Sequence, residues 1–145
     1  MAYADQSAYL LPALCWCYLY SVFFVGLNSV NLSIDINTVK GFLDPEEGRA
    51  LYDAANQVLA LGPCLEVGSY CGKSTVYLGA ACLESGSTLF AVDHHRGSEE
   101  HQLGEEYHDP DLYDASIGRM DSFKAFRKTV QEAGLEDVVG PVVAS

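Results

Sequence analysis

The stretch Cys64–Thr75 reads C-L-E-V-G-S-Y-C-G-K-S-T, and it decides the fold of the chain. A short apolar run ends at Gly68, a second glycine follows at Gly72, and a helical pattern begins at Ser74. Strand, glycine turn and helix in this order bring backbone N–H groups and a helix N-terminus up to a small ligand. Glycine has no Cβ, so a ligand can lie against the backbone there. The stretch therefore predicts the ligand-binding turn of an α/β domain.

A second apolar run, Thr88–Val92, predicts the next strand and is followed at once by Asp93. Roughly 25 residues separate Gly68 from Asp93, close to the spacing of ~20 residues between a glycine turn and the acidic residue that holds a ribose in dinucleotide folds. The two runs together predict the start of a nucleoside-binding domain.

The first predicted helix precedes the glycine turn. Asp44 caps it, Pro45 occupies its first turn, and Glu47 completes a capping box. The dipeptide Gly62-Pro63 ends it. Its apolar stripe recurs with helical spacing and consists of Leu51, Ala54, Ala55, Val58 and Leu59.

After Asp93 the sequence predicts a polar loop, a helix and a strand. Residues 94–118 show no clear period and predict a long loop with one short helix. A helix then begins at Asp121 or Ser122 and stops at Gly134. Its apolar stripe is Phe123, Phe126, Val130 and Ala133. Val138–Val143 predicts the third strand. Alternating helices and strands indicate a parallel sheet with right-handed crossovers. The predicted class is α/β, a Rossmann-like sheet with flanking helices that stops after its third strand.

The composition restricts the partners. The formal net charge is -12, with 20 acidic and 8 basic residues, and no basic patch occurs. Nucleic-acid binding requires such a patch, so we expect no nucleic-acid partner.

The five cysteines form no C-x-x-C pair. This spacing fits neither a disulfide framework nor a zinc site, and it indicates reduced thiols.

The N-terminal part of the chain is a separate segment, residues 1–35. It has no charge between Asp5 and Asp35, and its apolar core, residues 10–27, is just long enough to span a bilayer as a helix. A membrane anchor and a non-native extension are the favoured interpretations, with a signal peptide or a buried element as alternatives. No Lys or Arg precedes Lys40, which argues against a signal peptide. We expect a cytoplasmic protein, anchored to a membrane if residues 10–27 insert.

The glycine turn does not match the common nucleotide motifs. A phosphate-binding G-x-x-x-x-G-K-[ST] loop would need glycine at position 67, which is Val67. A G-x-G-x-x-G turn fails because Ser69 and Tyr70 follow Gly68.

The heptapeptide Glu66–Gly72 instead resembles the first motif of class I S-adenosylmethionine-dependent methyltransferases: acidic, hydrophobic, Gly, any, any or Gly, any, Gly. The continuation K-S-T at Lys73–Thr75 is similar to the subgroup of small-molecule and sugar O-methyltransferases. The resemblance implies an enzyme that uses S-adenosylmethionine to methylate a small-molecule acceptor, most simply at oxygen. Residues 36–145 would be the N-terminal half of its domain, because the later I-D-G-x-H-like motif of the family is absent.

The resemblance also implies roles for residues. Glu66 would lie near the methionine amino group, and Asp93 would accept hydrogen bonds from both ribose hydroxyls. His94 would lie against adenine or ribose. The implied cofactor-binding set is Glu66, Gly68, Ser69, Tyr70, Gly72, Ser74, Asp93 and His94.

The sequence does not select a catalytic residue. His95, His101 and His108 are each candidates for the base that deprotonates the acceptor. The His- and carboxylate-rich stretch 93–109 suits either a divalent metal or a polar loop over the pocket, and we expect the loop and no metal. Two other functions remain open: a P-loop-like nucleotide-binding fragment and a non-catalytic membrane-tethered module. The oligomeric state is not predicted.

Overall fold

The structure, a computed structural model, describes residues 30–144 of the 145-residue chain. The predictions about residues 10–27 lie outside this part. Within residues 30–144, none of the helices combines the length and the apolar character that crossing a membrane requires.

Three parallel strands form the central sheet. The strands of the described part are, in chain order, β1 (Cys64–Val67), β2 (Leu89–Asp93), β3 (Tyr113–Asp114), β4 (Arg119–Met120) and β5 (Val139–Val143). The sheet has the order β1-β2-β5 and is parallel throughout, with Val67 beside Val92 and Val92 beside Val142. The carboxyl ends of its strands therefore meet at one edge, and the predicted Rossmann-like arrangement is confirmed.

Within residues 30–144, three α-helices flank the sheet: α1 (Pro45–Val58), α2 (Lys73–Ser85) and α3 (Phe123–Glu132). The predicted capping box of α1 is confirmed, since the Glu46 N–H donates to Asp44 Oδ1 at 2.7 Å and the Asp44 N–H donates to Glu47 Oε2 at 3.0 Å. Helix α2 ends at Gly86, whose left-handed conformation lets its N–H bond back to the last turn.

The buried face of α1 differs from the predicted stripe. Ala55 and Leu59 are buried as expected, but Leu51 and Ala54 are exposed and Val58 is 53% exposed. The reason is Gly48, which lies against the ring of Tyr77 so closely that a Cβ there would be 2.2 Å from Tyr77 Cε2. This close approach turns the face of α1 that carries Gly48 and Ala55 toward α2.

The core lies on one side of the sheet. Leu89 and Ala91 of β2 are fully buried against the helices, together with Val76 of α2 and Phe126 of α3. Alternate strand residues point to the other side, where Leu65, Phe90 and Val67 are exposed, Val67 at 78%. In the described part of the chain this second face is apolar and uncovered.

Residues 94–118 contain more secondary structure than the predicted long loop with one short helix. They contain two one-turn 3-10 helices, Glu99–His101 and Pro110–Leu112, and the first strand of the β3–β4 hairpin. The two-residue strands are too short to show an alternating pattern in the sequence. Met120 of β4 is buried with Cys71 and Leu112 in a second small core, so the hairpin is fixed by packing.

Candidate functional site

The turn after β1 is open on the side of Gly68. The Gly68 N–H donates to Val92 O at 2.8 Å, which extends the β1–β2 pairing into the turn. Gly68 has a φ of +87°, and a Cβ at this position would meet no atom within 4 Å. A glycine is needed here for its backbone conformation, and the space above it can receive a ligand.

The second glycine of the turn has a different surrounding. A Cβ at Gly72 would lie 3.2 Å from Thr129 Cγ2 and 3.4 Å from Phe126 Cδ2, both on α3. Its φ of +92° also favours glycine. Gly72 thus lets α3 approach the turn, a packing role, and its predicted contact with the cofactor stays a prediction.

Glu66 is bound to the first turn of α2. Its Oε1 accepts a hydrogen bond from Ser74 Oγ at 2.5 Å, and its Oε2 accepts one from Thr75 Oγ1 at 2.6 Å. Burial raises the pKa of Glu66, the two hydroxyl donors oppose that rise, and the charge of Asp93 adds to it. Each oxygen keeps a free lone pair. The hydrogen bond from Thr75 was not predicted. The sequence does contain a signal for it: an acidic residue ends the strand, and adjacent Ser and Thr begin the next helix.

Asp93 holds two turns at once. Its Oδ2 accepts the Tyr70 N–H and its Oδ1 accepts the His95 N–H, both at 2.7 Å. Tyr70 and His95 are the non-glycine residues with positive φ in the described part, at +48° and +58°. Such backbone conformations are strained and require support. Burial opposes ionisation of Asp93, but these two N–H donors and the neighbouring imidazoles outweigh it and hold its pKa below the ordinary value.

A cavity of about 320 Å³ opens beside Gly68, within the usual size range of ligand pockets. Four of the predicted residues line it: Gly68, Ser69, Tyr70 and Ser74. The other lining residues are Gly41, Phe42, Leu43, Glu47 and Lys73. Phe42 and Glu47 were not predicted, because their position over the turn results from the α1–α2 packing and not from a local pattern.

Ser69 adds a polar atom without a partner to this cavity. Its side chain is 2% exposed, and its Oγ has no hydrogen-bond partner in the protein. A larger cavity of about 640 Å³ lies between the hairpin and α3, but none of the predicted site residues lines it.

Residues 65–145, more than half of the chain, match a family model described as a methyltransferase domain. The chain belongs to this methyltransferase family. The match confirms the resemblance to class I S-adenosylmethionine-dependent methyltransferases that the Glu66–Gly72 motif indicated.

Among solved structures, the methyltransferase domain is similar to a Klebsiella pneumoniae protein provisionally assigned as an O-methyltransferase. The two share 16% sequence identity with a TM-score of 0.44, and the match covers 87% of this chain and 47% of the other. A likeness this remote supports no conclusion about activity. The chain spans about half the length of that relative.

The two adjacent histidines of the methyltransferase domain diverge. His94 lies at the surface, with its Nδ1 accepting the Arg96 N–H at 3.0 Å and lying 3.8 Å from Asp93 Oδ1. His95 is 3% exposed, with its Nδ1 3.0 Å from Ser122 Oγ and its ring against Phe123. Burial lowers the pKa of His95 against the pull of nearby carboxylates. His95 therefore links β2 to the start of α3, and His94 lies beside Asp93 without lining the cavity.

The His- and carboxylate-rich stretch of the methyltransferase domain was weighed as a metal site. Across residues 30–144, no three His, Cys, Asp or Glu side chains come together closely enough to hold a metal ion. His101 and His108 instead take part in contacts within the loop.

Proposed function

We propose that this chain supplies the cofactor-binding part of an enzyme that transfers a methyl group from S-adenosylmethionine to an oxygen atom of a small-molecule acceptor. Membership of the methyltransferase family supports the reaction. The observation that carries the cofactor site is the position of Asp93 at the end of β2, where its carboxylate accepts the Tyr70 N–H beside the open turn at Gly68.

The site's residues fit S-adenosylmethionine in charge and shape. Asp93 is held ionised, and a carboxylate accepts hydrogen bonds from a diol. Ser69 Oγ lacks a partner that a ligand would provide, and the space at Gly68 lets a ligand approach the backbone. Glu47 and Lys73 are the charged side chains that line the cavity, and Asp93 is joined to its wall through the hydrogen bond from the Tyr70 N–H. The carboxylate of Glu47 suits a cofactor that carries an ammonium and a sulfonium.

The residues of this chain would act mainly by positioning. The bound cofactor supplies an activated methyl group. Asp93, Ser69 and the Gly68 backbone would hold the cofactor. Their fixed geometry would lower the entropic part of the activation barrier, because the reactants are already positioned. A hydroxyl acceptor also requires a base, which takes up the proton as the oxygen attacks.

We also propose a cytoplasmic location. Cys64, Cys71 and Cys82 are free thiols in the described part of the chain, and unpaired cysteines are typical of proteins in reducing compartments.

Calorimetric titration of the full chain with S-adenosylhomocysteine, with ATP as the competing ligand, tests the proposed cofactor. We expect saturable binding of S-adenosylhomocysteine alone. Ser69→Ala removes a hydroxyl that has no partner in the protein, so the fold should persist while affinity falls roughly threefold to tenfold, the value of one hydrogen bond.

The matched control is Ser85→Ala at the exposed end of α2, whose Oγ donates to Asn56 away from the cavity. It should bind S-adenosylhomocysteine like the wild type. Saturable binding of ATP without S-adenosylhomocysteine would favour a nucleotide-binding fragment and refute the proposal.

A further inference from the structure

Two side chains of opposite charge line the cavity beside Gly68, and they come from different helices. Glu47 belongs to the first turn of α1, and Lys73 is the first residue of α2. Within residues 30–144 they form no ion pair with each other. Opposite charges that share a cavity without pairing are complementary to a ligand that itself carries both charges.

Gly41 positions the side chain of Lys73 at the cavity. A Cβ at Gly41 would lie 3.0 Å from Lys73 Cβ and 3.3 Å from Lys73 Cδ, so the missing side chain leaves room for the lysine stem. The Lys73 ammonium donates to the carbonyl of Gly41 at 3.3 Å, and Gly41 also lines the cavity. An ammonium has three N–H donors. Lys73 is therefore a half-buried cation with two donors left for a ligand.

Glu47 keeps one carboxylate oxygen for a ligand. Its Oε2 accepts the Asp44 N–H at 3.0 Å in the capping box of α1, which holds the side chain in place. Its Oε1 has no hydrogen-bond or ion-pair partner among residues 30–144. A carboxylate has about four sites that accept hydrogen bonds, so Glu47 can bind an ammonium while it caps the helix.

Glu66, to which the resemblance gives the ammonium, has a different environment. It is 7% exposed, and its two oxygens accept the hydroxyl groups of Ser74 and Thr75. In the described part of the chain it does not line the cavity, whereas Glu47 is exposed and does. Of these two carboxylates, Glu47 is the one that a ligand in the cavity can reach.

The acidic character of the chain makes the place of Lys73 informative. With a formal net charge of -12, the protein as a whole repels an anionic group. Lys73 is the one basic residue that lines this cavity in the described part. It therefore provides a local cation where a ligand carboxylate would otherwise be repelled.

We propose that this cavity binds the amino-acid end of the cofactor, with Lys73 holding its carboxylate and Glu47 its ammonium; this rests on the function proposed above. The amino-acid end of S-adenosylmethionine is a zwitterion, so it pairs with both side chains at once. Ser69 Oγ has no partner in the protein and lines the same cavity, where it suits the ligand carboxylate. Lys73 and Glu47 thereby select a cofactor that carries an amino-acid end over adenosine derivatives that lack it.

Calorimetric titration of the full chain with S-adenosylhomocysteine and with methylthioadenosine tests this inference. Methylthioadenosine has the same nucleoside and a thioether but neither the ammonium nor the carboxylate. We expect the wild type to bind S-adenosylhomocysteine more tightly than methylthioadenosine by roughly tenfold or more. Equal affinities for the two compounds would overturn the inference.

Lys73→Met keeps an unbranched apolar side chain beside Gly41 and removes the ammonium. It should weaken binding of S-adenosylhomocysteine roughly tenfold and leave binding of methylthioadenosine unchanged. Lys124→Met is the control, because Lys124 is exposed on α3 and lines a different cavity. This control should bind both compounds like the wild type. Unchanged binding of S-adenosylhomocysteine by Lys73→Met would overturn the inference while leaving the proposed function standing.

Glu47→Gln tests the contact with the ammonium. The amide oxygen can still accept the Asp44 N–H, so the capping box persists. Binding of S-adenosylhomocysteine should again fall roughly tenfold with methylthioadenosine unaffected. Glu46→Gln, the same substitution at an exposed neighbour that does not line the cavity, is the control and should bind both compounds like the wild type.

Thermal unfolding of each variant checks that it is folded before titration. Equal weakening of both compounds in Lys73→Met or Glu47→Gln would overturn the assignment, because it would show an effect on the whole site. Failure of the wild type to bind either compound would instead refute the proposed function and this inference with it.

Discussion

At the scale of single residues, the two acidic side chains of the site serve the fold as well as the ligand. Asp93 fixes the turns at Tyr70 and His95, and Glu66 fixes the start of α2. The sequence motif places both carboxylates at strand ends. It does not show that each carboxylate accepts two hydrogen bonds from groups of the protein itself.

We expect Asp93→Ala to destabilise the chain by about 2 kcal/mol, because two N–H groups of strained residues lose their acceptors. Urea unfolding followed by circular dichroism measures the effect. Asp53→Ala is the control: this aspartate forms an i,i+4 pair with Arg49 at 3.7 Å on α1, and its loss should cost no more than about 0.5 kcal/mol. Equal losses of stability in the two variants would contradict the conclusion that Asp93 stabilises the turns at Tyr70 and His95.

Glu66 predicts a pH dependence of stability. Burial raises its pKa in the folded chain above the ordinary value of 4.5. The folded state therefore binds this proton more tightly than the unfolded state, which stabilises the fold below pH 4.5. That contribution is lost as the pH rises through the folded pKa.

Glu66→Gln should abolish this dependence, because the amide does not titrate and can still bond Ser74 and Thr75. The free energies of unfolding of wild type and variant, measured from about pH 4 to 7, give the comparison. Asp93 contributes with the opposite sign, since its lowered pKa stabilises the fold above the ordinary 3.8. Identical pH profiles would show that the raised pKa of Glu66 is wrong.

At the scale of elements, the glycine turn is a joint between β1, α2 and α3. We expect Gly72→Ala to cost clearly more than Gly86→Ala, about 2 kcal/mol or more against about 1. Both glycines have positive φ, but only Gly72 has α3 atoms within 3.4 Å of the added Cβ. The difference between the two variants in free energy of unfolding, measured by heat or urea, gives the cost of the clash with α3. Equal losses of stability in the two variants would show that this clash contributes nothing.

The elements show which features a sequence can predict. Asp44 caps α1 through neighbours in the chain, so its role was predicted correctly. The packing of Gly48 on Tyr77 joins two different helices, and it turned the buried face of α1 away from the predicted stripe. A local sequence pattern contains no signal for such a contact. For the same reason the position of Phe42 over the turn could not be predicted from local patterns.

At the scale of the whole molecule, the described part has one apolar sheet face that no helix covers. Leu65, Val67 and Phe90 form an exposed apolar area, and such areas bind hydrophobic probes. We expect the folded chain to enhance the fluorescence of anilinonaphthalene sulfonate, and Val67→Lys to reduce it with a change in stability within about 0.5 kcal/mol.

Leu83→Lys on the exposed side of α2 provides the control for this prediction. It removes a similarly exposed apolar side chain from a helix, so the fluorescence should stay nearly unchanged. A larger effect of Leu83→Lys than of Val67→Lys would place the dye elsewhere.

The strand order has a consequence for how the chain is made. Because β2 pairs with β1 and β5 pairs with β2, β2 and β5 each pair with a strand that is synthesised before them. We expect the carboxylate of Asp93 to bind the Tyr70 N–H once β2 has emerged, and α3 to pack on this turn afterwards. We therefore expect the candidate site to be assembled in the direction of synthesis, ahead of β5.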